Sequence, residues 1–216
     1  MRAGGRVEGL YGIADGGFRP EIPIEQKVRG FLDGGAGVVQ VRLKSASARE
    51  LWEAVCRAVE LARGRARVVV NDRPDVALAA RADGVHVGDE DLPVALVRRI
   101  VGPDMLLGVT VRSVEQALQA ARDGADYVGF GPIFATSTKS VGAPPQGLAA
   151  LERVVAACPI PVVAIAGITL ERAAEIARTG AAGAAVVADV LGAEDPVERA
   201  RAFSAEFAAA ASKGRR

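Results

Sequence analysis

The sequence predicts an α/β protein, a single-domain (β/α)8 barrel of the TIM type, and three observations carry that prediction. Short runs rich in valine and isoleucine alternate with longer amphipathic stretches along the chain, as expected of βα units that build a parallel sheet. Most of these runs are apolar at successive positions rather than alternating, so both faces should be covered, one by helices and one by a packed interior. Eight such strand candidates in one chain suggest closure.

In order, the strand candidates are 10–14, 38–42, 68–71, 84–87, 106–110, 127–130, 162–165 and 184–187. Helix-like stretches lie between them, among them 48–61, 114–121 and 170–179. One phrase recurs where a helix should end and a strand begin: Gly34-Gly35-Ala36-Gly37, Ala82-Asp83-Gly84, Gly124-Ala125-Asp126 and Gly180-Ala181-Ala182-Gly183. Its glycines suit the left-handed residue that stops a helix, so the phrase reads as a repeated turn rather than as chemistry. The barrel takes residues 1–216 as one domain, with a solvated, disordered tail expected around Lys213, Arg215 and Arg216.

Half of the 216 residues are hydrophobic and 25% are charged, the balance of a chain that buries a sizeable core. With 27 basic and 26 acidic residues, the net charge of +1 offers no overall field for nucleic acid or an anionic membrane. Cys56 and Cys158 have neither metal-ligand spacing nor the pattern of a disulfide framework. No secretory signal pattern or membrane-length apolar run is read, so the expected location is the cytoplasm. Oligomeric state stays open, a homo-oligomer included.

Barrel chemistry is built from the loops that follow the strands, and there this sequence turns polar. Gln40, Arg42 and Lys44 follow one another at period two, which puts an amide and two cations on one side of the second strand and its extension. Arginine offers a planar fork for phosphate and lysine a point charge. Asp72 and Asp91 follow adjacent strands; as hard oxygen ligands they suit magnesium, and as residues just before Arg73-Pro74 and Leu92-Pro93 they equally suit helix caps. Thr136-Ser137-Thr138-Lys139 supplies hydroxyls, backbone donors and a cation in a loop that runs on to about Gly147 and has the composition of a lid. Gly167 after the seventh strand and Val187-Ala188 after the eighth fall where barrels often bind phosphate. His86, the single histidine, reads either as a pocket residue or as a satisfied strand-end residue, and it leaves no second histidine for a triad or a His-rich metal site.

Taken in order, Gln40-Val41-Arg42-Leu43-Lys44, Asn71-Asp72-Arg73, the stretch from Gly84-Val85-His86 to Asp91-Leu92-Pro93 and the loop Gly129-Phe130-Gly131-Pro132 through Thr138-Lys139 resemble the thiamine phosphate synthase family. The resemblance runs from Leu10 to Ala188. It implies a cytosolic transferase that joins hydroxymethylpyrimidine diphosphate to hydroxyethylthiazole phosphate with release of pyrophosphate, and magnesium as cofactor. By that resemblance Gln40 meets the pyrimidine, Arg42, Lys44, Asn71 and Lys139 hold the pyrophosphate, and Thr110 contacts it as it leaves. Asp72 and Asp91 bind magnesium, and Thr136, Thr138, Gly167, Val187 and Ala188 receive the thiazole phosphate, with His86 counted among the substrate-binding residues. Arg42, Lys44, Thr110 and Lys139 are the expected catalytic set.

The chain departs from the family pattern at Leu43, where glutamate is usual, at Asp89, and at Ala188, where a serine hydroxyl is common. A related barrel, the thiazole tautomerase, is expected to use a histidine where this chain has Arg112, and a permanently protonated arginine is a poor general base. A noncatalytic phosphate-metabolite binder is the remaining alternative, and it leaves the carboxylate pair and the leaving-group cations without a task.

Overall fold

The computed structural model describes residues 7–88, 90–136 and 144–214. Its strands are β1 (Gly9–Asp15), β2 (Val38–Arg42), β3 (Arg67–Asn71), β4 (Gly84–Val87), β5 (Leu106–Val111), β6 (Tyr127–Phe130), β7 (Val162–Ala164) and β8 (Gly183–Val186). They pair in parallel, each with its sequence neighbour, and β8 closes on β1. The helices are α1 (Ile24–Asp33), α2 (Ala48–Ala62), α3 (Pro74–Ala79), α4 (Val94–Val101), α5 (Val114–Arg122), α6 (Gly147–Ala157), α7 (Leu170–Arg178), α8 (Ala188–Leu191) and α9 (Pro196–Gly214). No described helix is long and apolar enough to cross a membrane. Both cysteines are free thiols, half-buried.

The apolar runs divide by strand phase. Val39, Val41, Val68, Val70, Val85, Val87, Leu107 and Val109 face outward into the large core beneath the helices. The alternate residues Tyr11, Val38, Val69, Tyr127, Val163 and Ala185 form a separate cluster inside the barrel. Such a two-sided burial is why the runs lack alternation of polarity.

The repeated turn is structural, as its composition suggests. Gly35, Gly124 and Gly180 take positive φ at the ends of α1, α5 and α7, while Arg81 fills that place after α3. The helix ends close in the same way: Ala36 N donates to Phe31 O, Ala82 N to Ala77 O and Ala125 N to Ala120 O. The aspartates of the phrase cap the sheet. Asp83 Oδ2 accepts from Val68 N and Asp126 Oδ2 from Leu107 N, both at 2.8 Å, so each carboxylate satisfies a donor in the neighbouring strand.

Strand ends shift by a residue at several places, and two of these shifts have a visible physical cause. The seventh strand ends at Ala164 rather than 165, although Ile165 N still donates to Phe130 O, because Ala166 turns to φ +70°. Val187 leaves the eighth strand to start α8. Of the expected tail, Lys213 is exposed near the end of α9, which runs to Gly214, and Arg215 and Arg216 lie outside the described residues.

Helix α9 is tied down by charge. Arg199 donates to both oxygens of Asp189, at 2.6 and 3.0 Å, and to Glu171 at 2.7 Å. Arg199→Ala strands Asp189, whose side chain is only 8% exposed, and is expected to cost about 2–3 kcal/mol in urea unfolding at neutral pH. Arg199 also draws the Glu171 carboxyl from its ordinary 4.5 down to about 2. A lowered acid stabilises the fold above its unfolded value, and that part is lost as pH falls from 4.5 toward 2. The Glu171 share of the Arg199→Ala penalty should therefore shrink across that acid window.

Candidate active site

Continuing the inward phase to the C-terminal ends of the strands changes its chemistry. Val38 is followed by Gln40 and Arg42, Val69 by Asn71, and Tyr11 by Ile13 and Asp15. Tyr11, Ile13, Asp15, Gln40, Arg42 and Asn71, with His86, Thr110 and Arg112, line a cavity of about 480 Å³ at the mouth of the barrel. Thr136, Gly167, Val187 and Ala188 line it as well, on the side of the sixth to eighth strands. The cavity thus gathers nine predicted site residues: Gln40, Arg42, Asn71, His86, Thr110, Thr136, Gly167, Val187 and Ala188.

Its floor is a row of hydrogen bonds. Gln40 Nε2 donates to Tyr11 Oη at 2.9 Å, the Tyr11 and Tyr127 hydroxyls are 2.9 Å apart, Tyr127 Oη lies 3.0 Å from His86 Nδ1, and His86 Nε2 lies 2.9 Å from Thr110 Oγ1. Either tyrosine hydroxyl can donate to the other, and the roles of the two His86 nitrogens follow its tautomer; with the proton on Nε2, His86 donates to Thr110 and the Thr110 hydroxyl proton is free for a ligand. Burial holds both tyrosine hydroxyls above their ordinary values, so they stay protonated at neutral pH. His86 is therefore a pocket residue, with both ring nitrogens engaged.

Glycines inside the barrel make room for these rings. A β-carbon on Gly108 would lie 2.1 Å from Tyr127 Cζ and 2.4 Å from its Oη, and one on Gly129 would lie 3.3 Å from His86 Cε1. Gly108→Ala is expected to cost about 1–3 kcal/mol through overpacking and to push Tyr127 out of the row. Urea unfolding reads the first effect and near-ultraviolet circular dichroism of the tyrosines the second; a variant with wild-type values of both would refute the packing argument.

Above the floor the edge is cationic. Arg42 Nη1 donates to Asp15 Oδ2 at 2.5 Å, and Asp15 Oδ1 accepts from Gly17 N at 2.7 Å. The buried Lys27 ammonium fixes this turn from beneath by donating to the Asp15 and Phe18 carbonyls at 2.9 and 2.7 Å. Arg112 lines the cavity at the end of β5.

The two predicted metal ligands stand just outside the cavity, beside Asn71 and Gly88 of its wall. Neither caps a helix. Arg73 and Pro93 occupy the positions before α3 and α4, with no side-chain cap, so the capping alternative for Asp72 and Asp91 is set aside. Asp72 takes φ +63°, and its carboxylate bonds the Lys44 ammonium. Asp91 Oδ2 accepts from Gly88 N at 2.7 Å. Burial raises the Asp91 carboxyl above its ordinary value, and the Asp72 carboxylate within hydrogen-bond reach raises it further. Lys44 thus departs from its expected place. It lies beyond the strand in a turn, half-exposed, paired to Asp72 rather than projecting into the cavity beside Arg42. Ser137, Thr138 and Lys139, with Asp89, lie outside the described residues.

Opposite, the β6 and β7 loops are zipped together. Ile133 N donates to Ile165 O and Phe134 N to Ala166 O, and a β-carbon on Gly167 would lie 2.6 Å from Ala135 O. Gly167, at φ +68°, is thus required by a close approach as well as by its backbone.

Sequence reasoning passed over Tyr11, Asp15, Tyr127 and Arg172, which all line the cavity. A usable signal existed for the tyrosines: the chain has only two, and both stand in strand runs at the inward phase.

A neutral hydrogen-bonding floor under a cationic edge, at the C-terminal mouth of a closed barrel, defines a (β/α)8 enzyme that handles an anionic substrate. A family model described as thiamine monophosphate synthase matches residues 10–190. The thiamine-phosphate synthase of Anaeromyxobacter dehalogenans is 52% identical over 204 residues, covering 94% of this chain and 90% of the relative. That of Chloroflexus aurantiacus is 48% identical over 198 residues, 91% of each chain. Among solved structures, thiamine phosphate pyrophosphorylase from Pyrococcus furiosus matches with a TM-score of 0.87 at 38% identity, over 95% of this chain and 98% of that one. The chain belongs to the thiamine monophosphate synthase family, and it is a transferase of thiamine biosynthesis.

Proposed function

We propose that this protein joins hydroxymethylpyrimidine diphosphate to hydroxyethylthiazole phosphate, releasing pyrophosphate and forming thiamine phosphate. The observation that carries the reading is the hydrogen-bonded row from Gln40 to Thr110 beneath Arg42 and Arg112. An uncharged heteroaromatic ring suits the row, where Gln40 keeps an open Oε1 acceptor among the described residues for an amino group. Its diphosphate suits the arginines, Asn71 and the Thr110 hydroxyl.

Among the described residues no serine or cysteine lines the cavity, the lining acids Asp15 and Asp189 are paired with Arg42 and Arg199, and both His86 nitrogens are hydrogen-bonded, which favours departure of pyrophosphate before attack over a covalent enzyme intermediate. Charge then develops on the leaving oxygens, where Arg42, Arg112 and Thr110 stabilise it in a site already organised by its own hydrogen bonds. The pyrimidinylmethyl carbon left behind is captured by the thiazole nitrogen. Lys139 is assigned to the pyrophosphate and Thr136 and Thr138 to the thiazole phosphate by family resemblance.

Asp72 and Asp91 fit magnesium. They form a close, mutually repelling pair beside Asn71 and Gly88 of the cavity wall. Two carboxylates with waters and phosphate oxygens make the shell this ion prefers. The ion would neutralise pyrophosphate as it departs. The two free thiols support a reducing compartment, the cytoplasm.

The deciding assay supplies both precursors with and without magnesium and follows thiamine phosphate. Product only with magnesium is expected. Absence of product in either condition, together with interconversion of thiazole tautomers, would replace this reading with the tautomerase; Arg112 and the doubly bonded His86 stand against that outcome.

A further inference from the structure

Arg172 stands in the first turn of α7, half-buried, and lines the cavity where Gly167, Val187 and Ala188 form its wall. A cation there opposes the helix dipole, which favours negative charge in a first turn, so helix stability does not account for it. Nor does an ion pair. Among the described residues its polar side-chain contact is a carbonyl, Gly167 O, which accepts from Nη1 at 2.6 Å, and its guanidinium carbon lies 4.0 Å from the centre of the Phe134 ring. The acids nearest to hand, Glu171 and Asp189, are both taken up by Arg199. Carbonyl and ring orient the guanidinium without cancelling its charge, and a guanidinium has five N–H donors, of which one is used here.

In the closed order β7, whose loop leads to Arg172, lies three strands from β2, which ends at Arg42, and two from β5, which carries Thr110 and precedes Arg112. Arg172 thus stands on a different wall from the cations assigned to the diphosphate, the wall of Gly167, Val187 and Ala188. The acceptor substrate carries a second anion that this wall can take.

We propose that Arg172 is a binding residue for the phosphomonoester of the acceptor thiazole, and that it selects the phosphorylated over the unphosphorylated acceptor. The assignment rests on the synthase reading. It also supplies at this wall a donor of higher charge than the hydroxyl that Ala188 lacks, and a planar fork matched to phosphate.

The test compares wild type with Arg172→Gln and Arg172→Lys, using hydroxyethylthiazole phosphate and hydroxyethylthiazole as alternative acceptors. For Arg172→Gln, KM for the phosphorylated acceptor should rise about 10- to 100-fold, the range of a lost charged hydrogen bond. KM for the diphosphate should stay within about twofold, and turnover of the unphosphorylated acceptor should not change beyond about twofold. Arg172→Lys should recover part of the loss. A clamp on Phe134 and Gly167 alone would instead raise KM for both acceptors alike, and that parallel rise would overturn the proposal, as would no rise at all. Calorimetric titration with hydroxyethylthiazole phosphate, without the diphosphate, provides a second arm that needs no turnover. Binding by wild type that weakens at least tenfold in Arg172→Gln supports the proposal, and equal binding by the two overturns it. A wild type that binds the phosphate but makes no thiamine phosphate would sink the synthase reading while leaving this arm readable. Thermal unfolding confirms that both variants fold.

Discussion

Asp91→Asn is expected to lower kcat/KM by about 100-fold at low magnesium, with much of the loss recovered when the cation is raised. The size follows from the pair. Asp91 is held above its ordinary carboxyl value by burial and by the Asp72 carboxylate, so ionising it costs the fold energy that a divalent cation between the two would return. An acid whose folded value is raised destabilises the protein once ionised, so the variant without metal should be as stable as wild type or more so. Asparagine keeps the oxygen that accepts from Gly88 N, and the local turn should survive. Wild type should gain melting temperature on adding magnesium, and Asp91→Asn should gain less. Full turnover of wild type in excess chelator, with no thermal response to magnesium in either protein, would remove the metal from this site.

The fold was legible because its signal is the plainest one a sequence carries: short β-branched runs at regular intervals, four of them preceded by the same turn phrase. The candidate site was legible for a related reason. Polar residues at strand ends have no structural cause in a two-sided apolar strand, so Gln40, Asn71 and Thr110 stood out from their own runs. What stayed hidden depends on contacts between distant segments. Lys44 follows the period-two spacing of Gln40 and Arg42, yet the strand ends at Arg42, and Asp72, just past the end of the next strand, claims the lysine. Tyr11 and Tyr127 are separated by 116 positions and look like core aromatics until their hydroxyls meet. Arg172 is indistinguishable in sequence from a solvated helix residue, because its partners are a carbonyl and a ring from the neighbouring loops. Asp72 and Asp91 stand before proline-started helices, and only backbone geometry showed that neither caps one.

Arg42→Ala is expected to lower kcat/KM for the diphosphate by about 100- to 1000-fold while leaving KM for the thiazole phosphate within about twofold. The arginine has two attachments to separate. Nη1 is committed to Asp15, and the rest of the guanidinium remains for the cavity, so removing it takes a cation from the leaving group and also strands a carboxylate only 6% exposed. The second loss should cost about 2–3 kcal/mol of stability, since a buried acid left without its cation is expensive. Activity and stability can then be pulled apart by a double substitution. Adding Asp15→Asn to Arg42→Ala removes the stranded charge and should return most of the stability while returning none of the rate. Asp15→Asn alone keeps Arg42 and an oxygen for Nη1, and should cost about tenfold in rate by loosening the fork. Arg42→Lys should fall between, because a single ammonium cannot satisfy Asp15 and reach a phosphate together. If the double variant recovered rate along with stability, Arg42 would be a structural partner of Asp15 and the leaving-group charge would rest on Arg112 and the family-assigned Lys139 instead.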